Sequence, residues 1–535
     1  PDEPADLTVS PTTGLIADIR PAGAPPEGRP TITSPDAPDD PVPPARFDAA
    51  GRWLLPGFWD EHVHFRLWAE ASRRLDVSGA RSAGEVARLI GAAVGAAGGS
   101  TAGASNTAGA GGTLGGGTPG RGEPGGGTLG GGTPGRGAAG AKDGQILVAA
   151  GFRDALWPDQ PHFALLDAVT GELPTYVLSG DLHAIWLNSA ALAAAGHAAH
   201  PTGLLREEEC FKITWGLADA PDHIKDQWVA EASAKAAGRG VTGIVDLDLT
   251  WALPDWQRRE AAGLTAHRVE CGVISDSLDQ ALAEGLRTGQ VMGTSGLLTV
   301  GPLKIIADGS LNTRTAWCCD PYPGMSGPEA YGIAAHSAEE LRDLLRRAAA
   351  GGLVPAVHAI GDRANAEVLD AFAAVGCGGR IEHAQLLRRA DVARLAPLGV
   401  TASVQPEHAM DDRDVAERHW PASYNRAFML RSLLEAGARL AFGSDAPVAP
   451  LDPWITLAAA VTRSRDGREP WQAGEAVTVR QGIAASSRGR LTPRVGEVGD
   501  LQLVDYNPLT ADADQLRHMP VAATWLAGRL THSAE

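Results

Sequence analysis

The sequence predicts an α/β protein whose largest part is a (β/α)8 barrel of the TIM type. Through the middle of the chain, short apolar runs alternate with amphipathic stretches of helical length. This is the pattern of parallel strands joined by helical crossovers. Eight of the runs have the length of a barrel strand. Ionisable side chains stand at the ends of several of them, where (β/α)8 barrels carry their functional groups.

The eight predicted strands are defined by their apolar content and by the turn residues that follow them. Two of the intervening stretches, residues 337–352 and 364–376, have the spacing of amphipathic helices. The strands are, in chain order, LLPGFWDEHVH (54–64), GVTGIVDLD (240–248), AHRVECGVI (266–274), LLTVGPLKIIADG (297–309), LVPAVHAIGD (353–362), RIEHAQ (380–385), VTASVQP (400–406) and LAFGSDAP (440–447).

The rest of the chain divides into a terminal domain and an insertion. Residues 1–55 and 488–535 contain short strand-like pieces, and we expect them to form one composite β-sandwich domain. The barrel then spans 56–487, with 66–235 a long insertion between strands 1 and 2 that would act as a lid. Within the insertion, 95–142 is rich in Gly and contains GGTLGGGTPGRG twice. Such a segment buries too little to offset its ordering entropy, and we expect a disordered surface loop.

Composition and charge exclude several classes of function. The chain of 535 residues has a formal net charge of −18, which argues against a nucleic-acid partner because phosphates need a basic face. No apolar run approaches the roughly 20 residues of a membrane span. The acidic start, PDEPADLTVS, lacks the apolar centre of a signal peptide. The five cysteines contain no CxxC motif and are expected to be reduced thiols of a cytoplasmic protein.

Ligand-type side chains stand at the ends of four predicted strands. His62 and His64 end the first strand, His358 is in the fifth, His383 in the sixth and Asp445 in the eighth. Alone, the HxH pair could equally lie on a solvated strand face or in the core. Buried charges without partners are costly, so a set of this kind is expected to bind a metal ion. Imidazole and carboxylate groups suit zinc.

Lys304, in the fourth strand, differs from the other members of the set because an ammonium group cannot bind a cation. A lysine desolvated beside a metal would have a lowered pKa and could react with carbon dioxide. The resulting carbamate would supply two oxygen atoms able to bridge two metal ions. The alternative is an ion pair between Lys304 and a nearby carboxylate such as Asp308.

Carboxylates near the histidines are expected to orient their rings. Asp60 lies two residues before His62, points to the same strand face and is the preferred candidate. Glu382 precedes His383, but adjacent strand residues point to opposite faces, so the partner of Glu382 is expected elsewhere.

An ordered set of motifs resembles the amidohydrolase superfamily. The motifs are PGFWDEHVH, LKIIADGSLNTRTA, HAIGDRA, RIEHAQ and FGSDAPV, and the resemblance extends from about residue 7 to 532. Within the superfamily they are similar to the branch of long metal-dependent hydrolases that includes the N-substituted formamide deformylases (amidohydrolase family 3, YtcJ-like). The resemblance implies a barrel with a β-sandwich from both termini. It also implies one metal on His62 and His64, a second on His358 and His383, a bridging Lys304, and Asp445 near the first metal.

Four further residues are candidate substrate contacts. The block LPTYVLSGDLHAIWLNSAAL (173–192) also matches the branch, although Leu182 stands where the branch usually has Gly. It points to His183 and Trp186 in the insertion, with a structural histidine as the alternative for His183. Arg314 follows the fourth strand and His408 the seventh. For Arg314 the alternative is a salt bridge that anchors its loop.

The expected chemistry is metal-assisted hydrolysis of a carbon–nitrogen bond other than a peptide bond, in an amide or formamide. Zinc lowers the pKa of a bound water from about 16 to near 7 and so supplies hydroxide at neutral pH. Two zinc ions are expected, with one as the alternative, and Asp445 would be the catalytic base. The partner would be a small-molecule substrate, with no nucleic acid or membrane, and the chain could form a homodimer. The rival hypotheses are a mononuclear zinc deaminase and a non-catalytic regulatory or ligand-binding protein on the same barrel.

Overall fold

The computed structural model describes residues 5–22, 47–99, 146–217, 220–264 and 266–534. They belong to two compact units. The first, here the barrel unit, comprises Pro1–Ser72, Asp181–His183 and Arg206–Glu535, and the second unit comprises Arg73–Gly180 and Ala184–Leu205.

The described residues contain the following strands, in chain order: β1 (Ala5–Val9), β2 (Ile16–Pro21), β3 (Trp53–Pro56), β4 (Phe58–Val63), β5 (Leu75–Asp76), β6 (Leu147–Phe152), β7 (Thr175–Ser179), β8 (Ala184–Leu187), β9 (Leu204–Arg206), β10 (Val241–Asp246), β11 (Arg268–Ile274), β12 (Val291–Met292), β13 (Leu298–Ile306), β14 (Pro355–Ala359), β15 (Gly379–His383), β16 (Val400–Val404), β17 (Leu440–Phe442), β18 (Leu501–Val504), β19 (Val521–Leu526) and β20 (Arg529–Ser533).

The α-helices of the same residues are α1 (Phe65–Ala71), α2 (Ala83–Gly99), α3 (Phe163–Thr170), α4 (Ser189–Ala194), α5 (Glu208–Gly216), α6 (Asp222–Ala237), α7 (Leu253–Ala261), α8 (Leu278–Ala283), α9 (Ala338–Gly351), α10 (Asp362–Val375), α11 (Arg389–Val392), α12 (His408–His419), α13 (Leu430–Glu435), α14 (Pro453–Thr462), α15 (Val479–Ser486) and α16 (Ala513–Arg517). Among these described helices, none combines the length and the apolar character that a membrane crossing requires.

Eight strands of the barrel unit form one parallel sheet in the order β4-β10-β11-β13-β14-β15-β16-β17. A parallel bridge between Val63, which ends β4, and Ala446, just after β17, joins the two edges, so the barrel is nearly closed. The short strand β12 adds to β13 in the antiparallel direction. Each of the eight predicted strands overlaps one strand of this sheet, which confirms the predicted α/β barrel.

The first predicted strand, 54–64, is two strands in the structure. β3 pairs with β18 in another sheet, whereas β4 pairs with β10 in the barrel. Gly57 separates them, and a Cβ at this position would lie 2.2 Å from the side chain of Thr242. The sequence shows one continuous run because the residues on both sides of the break are apolar.

Helix α9 shows how local signals place the crossover helices. Ser337 caps its N-terminus in a reciprocal capping box, and Gly352 ends it in the left-handed conformation at φ 81°. Leu341, Leu345 and Ala348 are buried along one face. They belong to the main hydrophobic core, which also contains the apolar side chains of the barrel strands. The predicted helix at 337–352 is therefore confirmed.

Both ends of the chain contribute to a four-stranded antiparallel sheet in the order β20-β19-β18-β3. β3 comes from the N-terminal side of the barrel and the other three strands from the C-terminal side. β1 and β2 form a separate antiparallel pair, and a bridge joins Leu15 to Val498. This arrangement shows a sheet shared by the termini, while the predicted β-sandwich stays a prediction.

The second unit has its own sheet, in the order β5-β6-β7-β8-β9. β5, β6 and β7 run parallel, and β8 is antiparallel to β7. Apolar side chains from α2, α3 and this sheet form one core, with Ile90, Leu166 and Trp186 fully buried. Of the Gly-rich segment 95–142, residues 95–99 end α2, and the predicted disordered loop otherwise lies outside the described residues.

Candidate functional site

Three predicted metal ligands converge at the carboxyl ends of the barrel strands. His62 lies near the end of β4, His383 ends β15, and Asp445 follows β17. Their nitrogen and oxygen atoms all lie within 4.8 Å of one another, and all three residues are buried. His62 Nε2 is 3.5 Å from Asp445 Oδ1. Donor atoms at this spacing can share one metal ion.

His64 and His358 extend the same cluster. His64 Nε2 lies 3.1 Å from Asp445 Oδ1. The ring centroid of His358 is 4.5 Å from that of His383. The four predicted histidines and Asp445 are therefore neighbours, although they come from four different strands and the loops after them.

Two members of the cluster have a backbone conformation that side chains rarely adopt. The angle φ is 73° at His383 and 59° at Asp445. Each such residue costs roughly 1–3 kcal/mol and persists where its surroundings over-determine it. The Asp445 N–H donates a hydrogen bond to the His62 carbonyl at 2.7 Å, which ties the loop after β17 to β4. Strain of this kind is typical of functional sites.

Lys304 places its side chain in the same cluster from β13. Its Nζ lies 3.4 Å from His62 Nε2, and the residue is only 2% exposed. Burial lowers the pKa of Lys304, although Glu382 and Asp445 act in the opposite direction. A lowered pKa favours the neutral amine, which is the form that reacts with carbon dioxide.

The Asp308 side chain bonds backbone N–H groups and does not pair with Lys304. Its carboxylate accepts hydrogen bonds from the N–H groups of Trp317 at 2.9 Å, Ile360 at 3.0 Å and Gly361 at 2.8 Å. Its Oδ1 also lies 3.5 Å from His358 Nε2. The two described residues Lys304 and Asp308 form no ion pair, and the carboxylates that act on Lys304 are Glu382 and Asp445.

The donor set fits a divalent metal ion. Burial lowers the pKa of His62 to about 4 and those of His358 and His383 well below the usual range. These imidazoles are therefore neutral near pH 7 and present lone pairs. In the described part of the chain, the buried atoms His64 Nδ1 and His383 Nδ1 have no hydrogen-bond partner. Imidazole nitrogen and carboxylate oxygen are ordinary zinc ligands.

Acidic and basic side chains alternate in a row that begins at His62 Nδ1. Glu382 Oε2 lies 2.7 Å from His62 Nδ1, which leaves His62 Nε2 for a metal. Arg380 donates to Glu382 and to Glu61, at 2.9 Å each. Arg488 donates to the far side of Glu61 at 2.6 Å. Glu382, Arg380, Glu61 and Arg488 are called the charge chain below.

The structure corrects the expected role of Asp60. Its Oδ1 accepts hydrogen bonds from the backbone N–H groups of His62 at 3.2 Å and Ser444 at 2.9 Å. Asp60 therefore joins the backbones of β4 and the loop after β17, and Glu382 is the carboxylate on the His62 ring. As expected, the partner of Glu382 is not the adjacent His383.

A second carboxylate–imidazole pair lies beside His358. The ring centroid of His183 is 5.6 Å from that of His358. Its Nδ1 lies 2.9 Å from Glu207 Oε2, a residue that the sequence analysis did not single out. Leu182, which stands where the related branch usually has Gly, has φ 63°. Glycine adopts this conformation without steric cost, which accounts for the usual residue.

The other three candidate substrate contacts have different surroundings. The His408 ring lies 6.1 Å from the His383 ring, and His408 Nε2 is 3.8 Å from Asp445 Oδ2. Arg314 has φ 60° and is half-buried, and no salt bridge to a described residue anchors it. Trp186 is 0% exposed and packs in the core of the second unit. Substrate contact by these residues stays a prediction.

The fold and these side chains define a class of protein, an α/β barrel with a candidate metal centre of histidines and carboxylate at the carboxyl ends of its strands. The sequence profile described as "Amidohydrolase family" matches residues 46–532, and the chain belongs to this family.

Three proteins are similar to most of this chain, and the second and third of them support the YtcJ-like branch of this family. Protein LONG AFTER FAR-RED 3 of Arabidopsis thaliana is 27% identical over 72% of this chain and 73% of its own length. Putative amidohydrolase YtcJ of Bacillus subtilis (strain 168) is 28% identical over 71% of this chain and 75% of its own length. The N-substituted formamide deformylase of Arthrobacter pascens is 27% identical over 69% and 75%.

A solved structure supports the fold. An uncharacterised metal-dependent hydrolase from Pyrococcus horikoshii OT3 matches with a TM-score of 0.65 at 24% identity. The match covers 87% of this chain and 89% of that chain, so the two proteins share the architecture over most of their length.

Proposed function

We propose that this protein is a metal-dependent hydrolase that cleaves a carbon–nitrogen bond other than a peptide bond, in a small amide or formamide. The observation that carries the proposal is the meeting of His62, His383 and Asp445 donor atoms within 4.8 Å. Membership of the amidohydrolase family supports hydrolysis. The similarity to a formamide deformylase, at 27% identity, favours this bond type.

The proposed cofactor is zinc, with two ions per chain. His62, His64, His358, His383 and Asp445 would hold them, and a carboxylated Lys304 would bridge them. Bound zinc would polarise the substrate carbonyl and lower the pKa of a water molecule. Carboxylation joins the neutral Lys304 amine to carbon dioxide and releases one proton. The burial that lowers the pKa of Lys304 favours this amine.

Asp445 is the proposed general base. Its Oδ1 faces His64 at 3.1 Å, and its Oδ2 faces His408 at 3.8 Å. The hydrogen bond from its own N–H to the His62 carbonyl fixes the carboxylate among the candidate ligands. From this position Asp445 can accept a proton from the attacking water and transfer it to the leaving amine.

Substrate contacts are proposed for His183, Arg314 and His408. His183 and His408 flank the cluster, and Arg314 is a half-buried cation without a described salt bridge. Substrate contact by Trp186 stays a prediction as well, and its side chain is fully buried in the second unit. Cytoplasmic location, assembly as a homodimer and a lid role for the insertion stay predictions.

The test combines metal analysis with a hydrolysis screen of N-formyl amines, N-acyl amines, cyclic amides, ureas and esters. Purified protein is expected to contain two zinc ions per chain and to release amine from at least one amide class. Asp445→Asn should lower kcat by at least about a hundredfold, since a positioned acid–base group contributes roughly 10²–10⁴-fold. Asp514→Asn is the matched control, because this aspartate side chain is 88% exposed on α16.

Each alternative has its own outcome in this test. One zinc per chain, an unmodified Lys304 and ammonia release from an amino-substituted ring would favour the mononuclear deaminase. Absence of zinc together with absence of turnover would favour the non-catalytic ligand-binding protein. Equal product release by wild type and Asp445→Asn would refute the assignment of the base.

A further inference from the structure

The chain brings a three-residue segment, Asp181–His183, into the barrel unit. The residues on both sides of this segment belong to the second unit. His183 lies with its ring 5.6 Å from the His358 ring and 5.4 Å from the Phe211 ring. The segment therefore places the imidazole of His183 next to His358, a candidate metal ligand.

Two hydrogen bonds fix His183 to Glu207. The side-chain bond joins His183 Nδ1 to Glu207 Oε2 at 2.9 Å, and the Glu207 N–H donates to the His183 carbonyl at 2.9 Å. The other oxygen of Glu207 accepts from the hydroxyls of Thr313 and Thr315. These threonines lie in the loop after β13, the strand that carries Lys304.

A second carboxylate fixes the backbone of the segment. Asp181 Oδ1 accepts from the His183 N–H at 3.2 Å, and Asp181 Oδ2 accepts from Ser310 Oγ at 2.7 Å. Leu182 and Glu207 have φ 63° and φ 52°, respectively. Side chains rarely adopt this region, at a cost of roughly 1–3 kcal/mol each. The network therefore holds His183 in place against strain at two residues.

The second ring nitrogen of His183 has no such bond. Within the described residues, Nε2 has no hydrogen-bond partner, and the side chain is 13% exposed. If His183 served only to hold Glu207 in place, its Nδ1 would be sufficient. Such a role would not require the ring to lie beside His358. An accessible Nε2 at that position is a group available to a ligand.

We propose that His183 Nε2 hydrogen-bonds the bound substrate beside the candidate metal centre, and that Glu207 is the positioning residue that fixes the ring. With Nδ1–H directed at Glu207, the orientation of the His183 ring is set before the substrate arrives, and a proton on Nε2 would make that atom the donor to a substrate oxygen. This inference rests on the proposed hydrolase function. The substrate group involved is a polar atom next to the bond that is cleaved, such as the amide carbonyl oxygen.

The test uses acetohydroxamate, a small carbonyl-containing zinc ligand, and measures its binding to the full-length, zinc-loaded protein by calorimetry. His183→Asn is the informative variant, because an asparagine amide can still reach Glu207 from the position of Nδ1 but offers nothing at Nε2. We expect hydroxamate affinity to fall about tenfold, as for the loss of one hydrogen bond, with unchanged zinc content and zinc affinity. His518→Asn is the matched control, since His518 forms an exposed pair with Asp514 at 3.1 Å.

Glu207→Gln separates positioning from folding. A glutamine can keep the bonds from Thr313 and Thr315 with its carbonyl oxygen, but its amide N–H would face His183 Nδ1, which would lose the acceptor that orients the ring. Hydroxamate affinity is expected to fall in this variant too, with zinc affinity and thermal stability close to those of wild type.

The outcomes are distinct. Unchanged hydroxamate affinity in His183→Asn overturns the proposed contact. A parallel fall in zinc affinity also overturns it, because His183 would then be a metal ligand. Wild-type protein that binds no zinc, or that hydrolyses nothing in the screen, overturns the proposed function itself. Turnover that is normal in wild type and in His183→Asn alike overturns only the present inference.

Discussion

Replacement of Arg380 by methionine tests whether the charge chain acts on the metal centre. Arg380 donates through Nε to Glu382 at 2.9 Å and through Nη1 to Glu61 at 2.9 Å. Its third nitrogen donates to the Glu61 carbonyl at 2.6 Å and to Ser403 Oγ at 2.9 Å. Methionine fills a similar volume but supplies neither charge nor donors. The carboxylate that orients His62 would lose its cationic partner.

Two effects of different size are expected. The side chains of Glu61 and Glu382 are 4% and 0% exposed, so removal of Arg380 leaves two buried carboxylates without their shared cation. Breaking a buried pair costs about 3–5 kcal/mol. Disturbing a carboxylate that orients a ligand typically costs 10–100-fold in metal affinity, or about 1.4–2.8 kcal/mol. Because the stability effect is the larger, zinc affinity has to be measured where the variant is still folded.

The assay is zinc competition with a chromophoric chelator, at a temperature at which circular dichroism shows native structure in both proteins. Arg259→Met is the matched control, because Arg259 is 1% exposed and bonds Asp226 at 2.8 Å, on helices α7 and α6. Both variants should lose stability, but only Arg380→Met should bind zinc 10–100-fold more weakly. Wild-type zinc affinity in Arg380→Met, or an equal loss of zinc affinity in Arg259→Met, would refute a role of the charge chain at the metal centre.

Two further predictions concern Lys304 and His267. Lys304→Met should reduce the zinc content from two ions to one per chain, measured by inductively coupled plasma mass spectrometry, and two ions in the variant would exclude a bridging role. His267 is buried against Phe65 and Trp256, and burial lowers its pKa to about 4. The unfolded chain binds this proton below about pH 6.5 and the folded chain only below about pH 4, so stability falls as pH decreases through that window, by up to about 3 kcal/mol. Unfolding of His267→Phe should therefore depend less on pH between 6.5 and 4 than unfolding of wild type, and identical pH profiles would contradict the buried neutral state.

The barrel and its candidate ligands could be predicted because both depend on short, local sequence patterns. Each strand is a short apolar run, and His358 and His383 stand out because imidazoles are unusual in strands covered on both faces. The ends of parallel strands meet at one edge, so residues at these ends become neighbours wherever the crossovers lead. Strand order and direction suffice to place these residues together, and the spacing of His62, His383 and Asp445 agrees with that placement.

The charge chain and Glu207 could not be predicted in this way. Arg380 meets Glu61, 319 residues away in sequence, and Glu207 meets Thr313, 106 residues away. Charged residues such as these look like ordinary surface residues in a sequence, and only the tertiary fold brings them together. The break at Gly57 could not be predicted either. The apolar run around Gly57 is continuous in the sequence, although its two halves belong to different sheets.

The two carboxylate–imidazole pairs differ in what stands behind the carboxylate. Glu382 is bonded to the Arg380 guanidinium, whereas Glu207 is bonded to two hydroxyls, and no described Lys or Arg pairs with it. Burial, together with Lys304, lowers the pKa of His62 to about 4. Burial acts the same way on His183, but Glu207 and Asp181 outweigh it and raise the pKa of His183 to about 9. Burial and the nearby Lys304 thus leave His62 as the neutral imidazole that a metal requires, whereas the carboxylates around His183 leave that imidazole with its protons. The same pair of residue types therefore suits a metal ligand in one place and a donor to substrate in the other.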